Sequence, residues 1–186
     1  MKSVSTSMFV LLYLAATASG FTEKRKCKKG PVNAFKMITH FPKVVMAYTS
    51  SSDPSYECLT APQVYLNEET KQATYLWNFK SCADRHTIVK QSTFEMSLGK
   101  SVDQLDFFLD GDHSELYTAY YNYTDYENCV VSILPYYGEN LCILWVTKAV
   151  DDSIPLPCLA AYHATCQIGY RAYDSDFCEQ CRPQGK

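Results

Sequence analysis

The chain has 186 residues and a formal charge of −3, with 47% hydrophobic, 14% aromatic and 20% charged residues. That composition excludes intrinsic disorder, and seven Gly with eight Pro exclude a collagen-like or Gly/Pro low-complexity chain. The slight acidity argues against a nucleic-acid binder, which gathers a basic excess on one face.

Residues 1–20 carry Lys2 as a short basic region, an apolar run over 8–16, and Ala18-Ser19-Gly20 as a small-residue cleavage site. The run is too short for a bilayer core of about 30 Å, which needs about 20 residues, so a cleaved signal peptide is expected rather than an anchor. What remains, 21–186, has the size of one domain, with no segment apolar enough to insert in a membrane. A secreted chain that keeps all nine Cys is expected to turn most of them into disulfides. Nine is odd, so one thiol is free or pairs between chains.

The mature chain opens on Lys24-Arg25-Lys26-Cys27-Lys28-Lys29, read as a solvated arm stapled by Cys27 ahead of a contact with an anionic surface. Asn33 suits the cap of a short helix over 34–39, with Phe35 and Ile38 on one face. The centre then reads in twos: 44–49, 73–79, 87–90, 93–98, 105–109, 116–123, 130–134 and 141–147 are rich in β-branched and aromatic residues. Turn material separates them, including Asp110-Gly111-Asp112 and Tyr137-Gly138. Eight short strands predict an all-β fold, an eight-stranded antiparallel up-and-down barrel whose closure removes both edges. From Pro157 the apolar positions Leu159, Tyr162, Cys166, Gly169 or Tyr170, and Tyr173 follow helical spacing, which predicts one helix packed outside the barrel and stopping at 174–176.

Signals for catalysis are lacking. There is no Gly-x-Ser-x-Gly elbow, no phosphate-cradling glycine loop and no His-Glu-x-x-His, and His40, His86, His113 and His163 stand on separate segments. Cys178-Glu179-Gln180-Cys181 lacks the second pair that zinc needs, so disulfide duty is its default. Asp110-Gly-Asp112 starts like a calcium loop, but Glu115 and Tyr121 occupy the positions that need Gly and Glu, and a hairpin turn fits better. No enzyme, cofactor or metal is expected. Asn122-Tyr123-Thr124 is a glycosylation sequon; if Asn122 points out, Leu116, Thr118 and Tyr120 share its face, and Tyr117, Ala119, Tyr121 and Tyr123 point in.

Taken together, Asn33-Ala-Phe-Lys36, Val44-Val-Met-Ala-Tyr48, Asp53-Pro54 leading to Cys58-Leu59, Gln72-Ala-Thr-Tyr-Leu76, Glu127-Asn-Cys129, and Leu144-Trp145 followed by Ile154-Pro155 and Cys158 resemble the tick salivary lipocalins, the histamine-binding protein family. The likeness covers almost the whole mature chain. It implies a lipocalin barrel with a helix on its flank, and disulfides joining Cys129 to Cys158 and Cys58 to Cys178 or Cys181. Relatives with an N-terminal Cys suggest Cys27 to Cys166, leaving Cys82 and Cys142 as an extra bridge. It further implies a monomeric binder secreted in saliva that sequesters a host mediator, such as histamine, another biogenic amine or a lipid like a leukotriene or fatty acid, and so suppresses host defence. Some members instead inhibit a host protein such as a complement component, and here loops 53–63 or 99–104 would do so, with the barrel as scaffold.

Amine-binding members carry a Cys-Asp pair and a later Glu-Leu-Trp, whose acids meet the ligand's ammonium. This chain has Cys129-Val130 and Ile143-Leu144-Trp145 instead. Burying an ammonium without an anion costs several kcal/mol, and an aromatic face returns only about 0.5 to 2 of that. The expected ligand-binding lining is Tyr48, Tyr75, Trp77, Phe79, Tyr117, Tyr121, Ile143 and Trp145, unless Glu95 or Asp106 enters from other strands. That wall is aromatic with hydroxyl handles, which tilts the reading towards a lipid.

Overall fold

A strand that alternates apolar and polar side chains can bury one face and wet the other, and eight segments do so around a common interior. In the computed structural model, which describes residues 30–80 and 88–180, they are β1 (Lys43–Thr49), β2 (Thr60–Asn67), β3 (Gln72–Lys80), β4 (Ile88–Leu98), β5 (Gln104–Leu109), β6 (Asp112–Thr124), β7 (Cys129–Tyr136) and β8 (Glu139–Val146). Each pairs antiparallel with the next, and β1 pairs with both β2 and β8, which closes the barrel. A two-residue strand, β9 (Tyr170–Arg171), joins the far end of β1. The β5–β6 hairpin turns on Asp110 (φ 54°) and Gly111 (φ 75°), and the β7–β8 hairpin on Tyr137 (φ 44°) and Gly138 (φ 85°). Two successive left-handed residues give the turn whose twist matches that of paired strands.

Strand number and strand identity part company. The segment 60–67 was not among the expected strands, yet it forms β2. Conversely, the two strands expected at 87–90 and 93–98 give way to one continuous strand, β4, from Ile88 onwards, in which Ser92 faces inward and bonds to Tyr136 instead of breaking the ladder. The two differences cancel, so eight strands remain.

Helix α1 (Ala34–His40) starts where expected, with Asn33 Oδ1 accepting from Lys36 N at 2.8 Å. Its buried Phe35, Met37 and Ile38 plug one end of the barrel. On the outside, α2 (Leu156–Thr165) lies over β7 and β8, and a second core forms between them from Val131, Leu144, Val146, Cys158 and Tyr162. The expected long tail helix is corrected: α2 ends at Thr165, Cys166 turns extended, and Gly169 passes so close to the Tyr162 ring that a Cβ there would lie 2.8 Å from it. Asp174 does not stop a helix but starts one, α3 (Ser175–Gln180), by accepting from Phe177 N through Oδ1.

Three disulfides are described: Cys58–Cys178, Cys129–Cys158 and Cys142–Cys166. The expected Cys27–Cys166 and Cys82–Cys142 bridges are therefore corrected, because the end of α2 places Cys166 against β8 and its Cys142. Cys27, Cys82 and Cys181, the basic run and the leader at 1–20 lie outside the described residues. Among the described residues no helix is long and apolar enough to cross a membrane.

Candidate ligand-binding site

Inward-facing side chains stack in layers from the α1 plug to the opposite, open end. Next to α1 a small cavity of about 40 Å³ remains, walled by Met37, Ile38 and Phe41 from below and by Tyr75, Trp77, Met96, Tyr121, Val130, Ser132 and Trp145 from the strands. Above it an aromatic layer fills the barrel: Trp77 lies 4.4 Å from Phe94, 5.1 Å from Tyr136 and 5.2 Å from Trp145 between ring centres. Beyond that layer a cleft of about 800 Å³ opens at the mouth, lined by Tyr56, Phe79, Tyr136, Tyr137 and Phe177 together with charged groups.

Four of the eight expected lining residues thus converge on the inner cavity: Tyr75, Trp77, Tyr121 and Trp145. Phe79 lines the mouth cleft, and Ile143 is fully buried core that borders neither space. Tyr117 faces the interior but sits at the rim, stacked on Phe107, with its hydroxyl donating to Glu115 at 2.7 Å. Tyr48 is a correction. A bulge between Met46 and Tyr48 shifts the β1–β8 register by one residue, which turns Tyr48 outward against Tyr162 of α2. A second bulge, between Tyr121 and Tyr123, does the same to Tyr123 and leaves Asn122 exposed. Met37, Ile38 and Phe41 went unread as lining because periodicity assigns a helix face and not the space it closes.

The inner wall is electrically quiet. Val130 lines it, in the position where amine binders are expected to carry an acid, and no lining residue is charged. Glu95 points outward to His113 at 3.4 Å, and Asp106 accepts from Thr118 at 2.6 Å on the same outer side. Among the described residues the buried carboxylate is Asp151, outside the barrel and paired with Lys148. Polar atoms in the wall are mostly spent on the protein itself. Tyr75 OH donates to Phe41 O at 2.7 Å and accepts from Gln63 Nε2 at 3.1 Å, while Trp145 Nε1 donates to Ser132 Oγ at 3.1 Å.

Charge gathers at the mouth instead. Lys90 Nζ lies 4.6 to 5.3 Å from the rings of Tyr137, Phe79 and Tyr136, and donates to Tyr136 OH, which also bonds Ser92 Oγ at 2.8 Å. Asp53, Glu57 and Glu139 stand on the same rim. Burial, and then the negative charge of Glu139, push the Tyr56 phenol well above its ordinary value. The ring cage is therefore a cation site that the chain fills with its own lysine. The donor atoms of Asp125, Cys129 and Cys158 do cluster, but the two sulfurs are bonded to each other and offer no thiolate to a metal.

Comparison with known proteins agrees with this architecture. The structure of AM182 in complex with serotonin matches with a TM-score of 0.60 at 15% identity, covering 81% of this chain and 94% of that one. Japanin from Rhipicephalus appendiculatus, bound to cholesterol, matches with a TM-score of 0.55 at 16% identity, covering 79% and 99%. Both likenesses are of fold. No curated protein matches the sequence. A family profile for tick histamine-binding protein matches residues 22–180, a span that contains all of the described barrel and its flanking helices, and the chain therefore belongs to the tick histamine-binding protein family.

Proposed function

We propose that the chain is a secreted, non-enzymatic binder that sequesters a small host mediator in its barrel and so blunts host defence. The favoured ligand is apolar and uncharged where it is buried. The observation that carries this reading is the inner wall, in which aromatic and aliphatic side chains surround the cavity and Val130 replaces the acid that an ammonium would need. At the mouth, an ammonium would have to compete with Lys90 for the ring cage. The cavity's 40 Å³ is far below the roughly 300 to 1,000 Å³ of occupied ligand pockets, so binding must move side chains. Met37 and Met96, unbranched and adaptable, are the parts of the wall suited to it. Secretion behind a cleaved leader and glycosylation at exposed Asn122 belong to the same proposal.

Native mass spectrometry and calorimetry with histamine, serotonin, cholesterol, a leukotriene and a fatty acid test it. Uptake of a neutral or lipid ligand is the expected result, and tight histamine binding with no lipid uptake would overturn the preference.

The small cavity also favours a second reading, in which the filled barrel is a scaffold and a surface binds a host protein. The exposed Val89, Tyr137 and Phe177 beside the mouth cleft supply an apolar contact for it. A stoichiometric partner recovered from host serum by the purified protein, with no ligand in the barrel, would favour that reading over the first.

A further inference from the structure

Two polar hydrogens in the inner cavity wall lack a proper acceptor. Tyr121 is almost entirely buried, at 7% exposure, and its hydroxyl reaches only Met96 Sδ at 3.9 Å, a weak acceptor. Trp77 is 2% exposed, and its indole N–H meets no acceptor among the described residues. The neighbouring donors differ. Tyr75 donates to a backbone carbonyl and Trp145 to Ser132, so the strands can satisfy such groups where nothing else is required of them. A buried donor without an acceptor costs free energy that the fold recovers only when something supplies one.

We infer that Tyr121 is a specificity-determining residue, and that it selects a neutral ligand carrying a hydrogen-bond-accepting oxygen, such as a carbonyl or ether, at the end that reaches the inner cavity. This rests on the barrel being the ligand site. The geometry gives the selection its sign. The wall offers unspent donors, no anion and no charged lining residue, so an accepting oxygen gains a partner on entering. A purely apolar molecule of the same shape leaves the hydroxyl as it was, and an ammonium adds a third donor to the two already waiting. Met96 is the hydroxyl's provisional partner, and displacing its thioether sacrifices little.

The experiment compares acetophenone, a neutral carbonyl compound, with cumene, its near-isostere without an acceptor. Both tryptophans of the chain line the cavity, so intrinsic fluorescence reports occupancy and calorimetry checks it. The native protein is expected to prefer acetophenone by about 3- to 10-fold after correction for the two probes' transfer out of water, the range of one net hydrogen bond. Tyr121→Phe should abolish that preference while leaving cumene affinity within about 2-fold. Met96→Leu, which removes the sulfur and keeps the hydroxyl, should preserve or enlarge it, and this variant still decides the matter if Tyr121→Phe fails to fold. A preference that survives in Tyr121→Phe, or that vanishes in Met96→Leu, overturns the role of Tyr121 alone. Failure of the native protein to bind either probe overturns the barrel-ligand reading as well.

Discussion

Tyr75 and Tyr121 border the same cavity and carry the same hydroxyl, yet their removal should cost different amounts. Tyr75→Phe strands the Phe41 carbonyl and the Gln63 amide, both left without a bond they now have, and should destabilise the protein by about 1 to 3 kcal/mol. Tyr121→Phe gives up only the long contact to Met96, so its urea midpoint should stay within about 0.5 kcal/mol of native or rise above it. Equal losses in the two variants would show that Tyr121 is satisfied in a way its surroundings do not provide. Burial also holds both phenols above the usual value of 10.0, that of Tyr121 by desolvation first and then by the neighbouring Tyr75. In the unfolded chain these protons leave near pH 10, whereas the folded state keeps them. The stability linked to them is thus full below about pH 9 and is lost as pH rises beyond 10 towards the folded values. Alkaline titration should show part of the tyrosine absorbance appearing in one step with unfolding; smooth ionisation of every tyrosine in a still-folded protein would contradict it.

The β6–β7 connection shows how one side chain can fix an element's ends. Asp125 Oδ1 accepts from the backbone N–H of Glu127, Asn128 and Cys129 at 3.0, 2.7 and 3.0 Å, and Thr124 Oγ1 donates to Cys129 O at 2.8 Å. Partial burial pushes the Asp125 carboxyl up, but these donors together outweigh it and hold the group below its usual value. Asp125→Ala should therefore cost about 2 kcal/mol at pH 7, by loss of several charge-assisted bonds. A depressed carboxyl contributes stability above the unfolded value of 3.8 and loses it as pH falls further, so the gap between native and Asp125→Ala should narrow by pH 3. Denaturant melts at both pH values check this, and a gap that widens in acid would refute it. Elements of this kind were readable where local chemistry decides them, as with the Asn33 cap and the Asp110-Gly111 turn. Bulges were not readable, because a single inserted residue leaves no compositional mark and yet reverses the facing of Tyr48 and Tyr123. Hence the cavity wall was legible on β3 and at Trp145 of β8, was partly wrong on β1 and β6, and on β7 went unread beyond Val130.

At the scale of the molecule, the barrel is closed by backbone pairing, but its flank is held by sulfur. Cys129–Cys158 and Cys142–Cys166 fasten the two ends of α2 to β7 and β8 across 29 and 24 residues, and Cys58–Cys178 ties the approach to β2 to α3 across 120. Resemblance to relatives implied Cys129–Cys158 outright and left Cys58 to pair with Cys178 or Cys181, of which the structure has Cys178. The Cys142–Cys166 pair was not implied, since it depends on where α2 ends, and helical spacing ran past that point to Tyr173. Loop length sets the expected contributions: constraining the unfolded chain is worth about 3.5 kcal/mol for each short bridge and about 5 for the long one. Against a total stability of roughly 5 to 15 kcal/mol, the long bridge is a large fraction. Its α3 end is also held by Lys148, which donates to Ser175 Oγ at 2.9 Å and pairs with Glu179 at 3.0 Å and with buried Asp151. Those contacts limit how far α3 departs once the sulfur link is gone. Replacing Cys58 and Cys178 together by Ala should thus lower the melting temperature more than replacing Cys142 and Cys166. It should also open the mouth, where Phe177 of α3 lines the cleft, so that ligand leaves faster with little change at the inner wall. Paired melting curves and dissociation rates test the order. If the short-bridge variant melts lower, packing of α2 over the outer core, and not chain entropy, governs the stability of the flank.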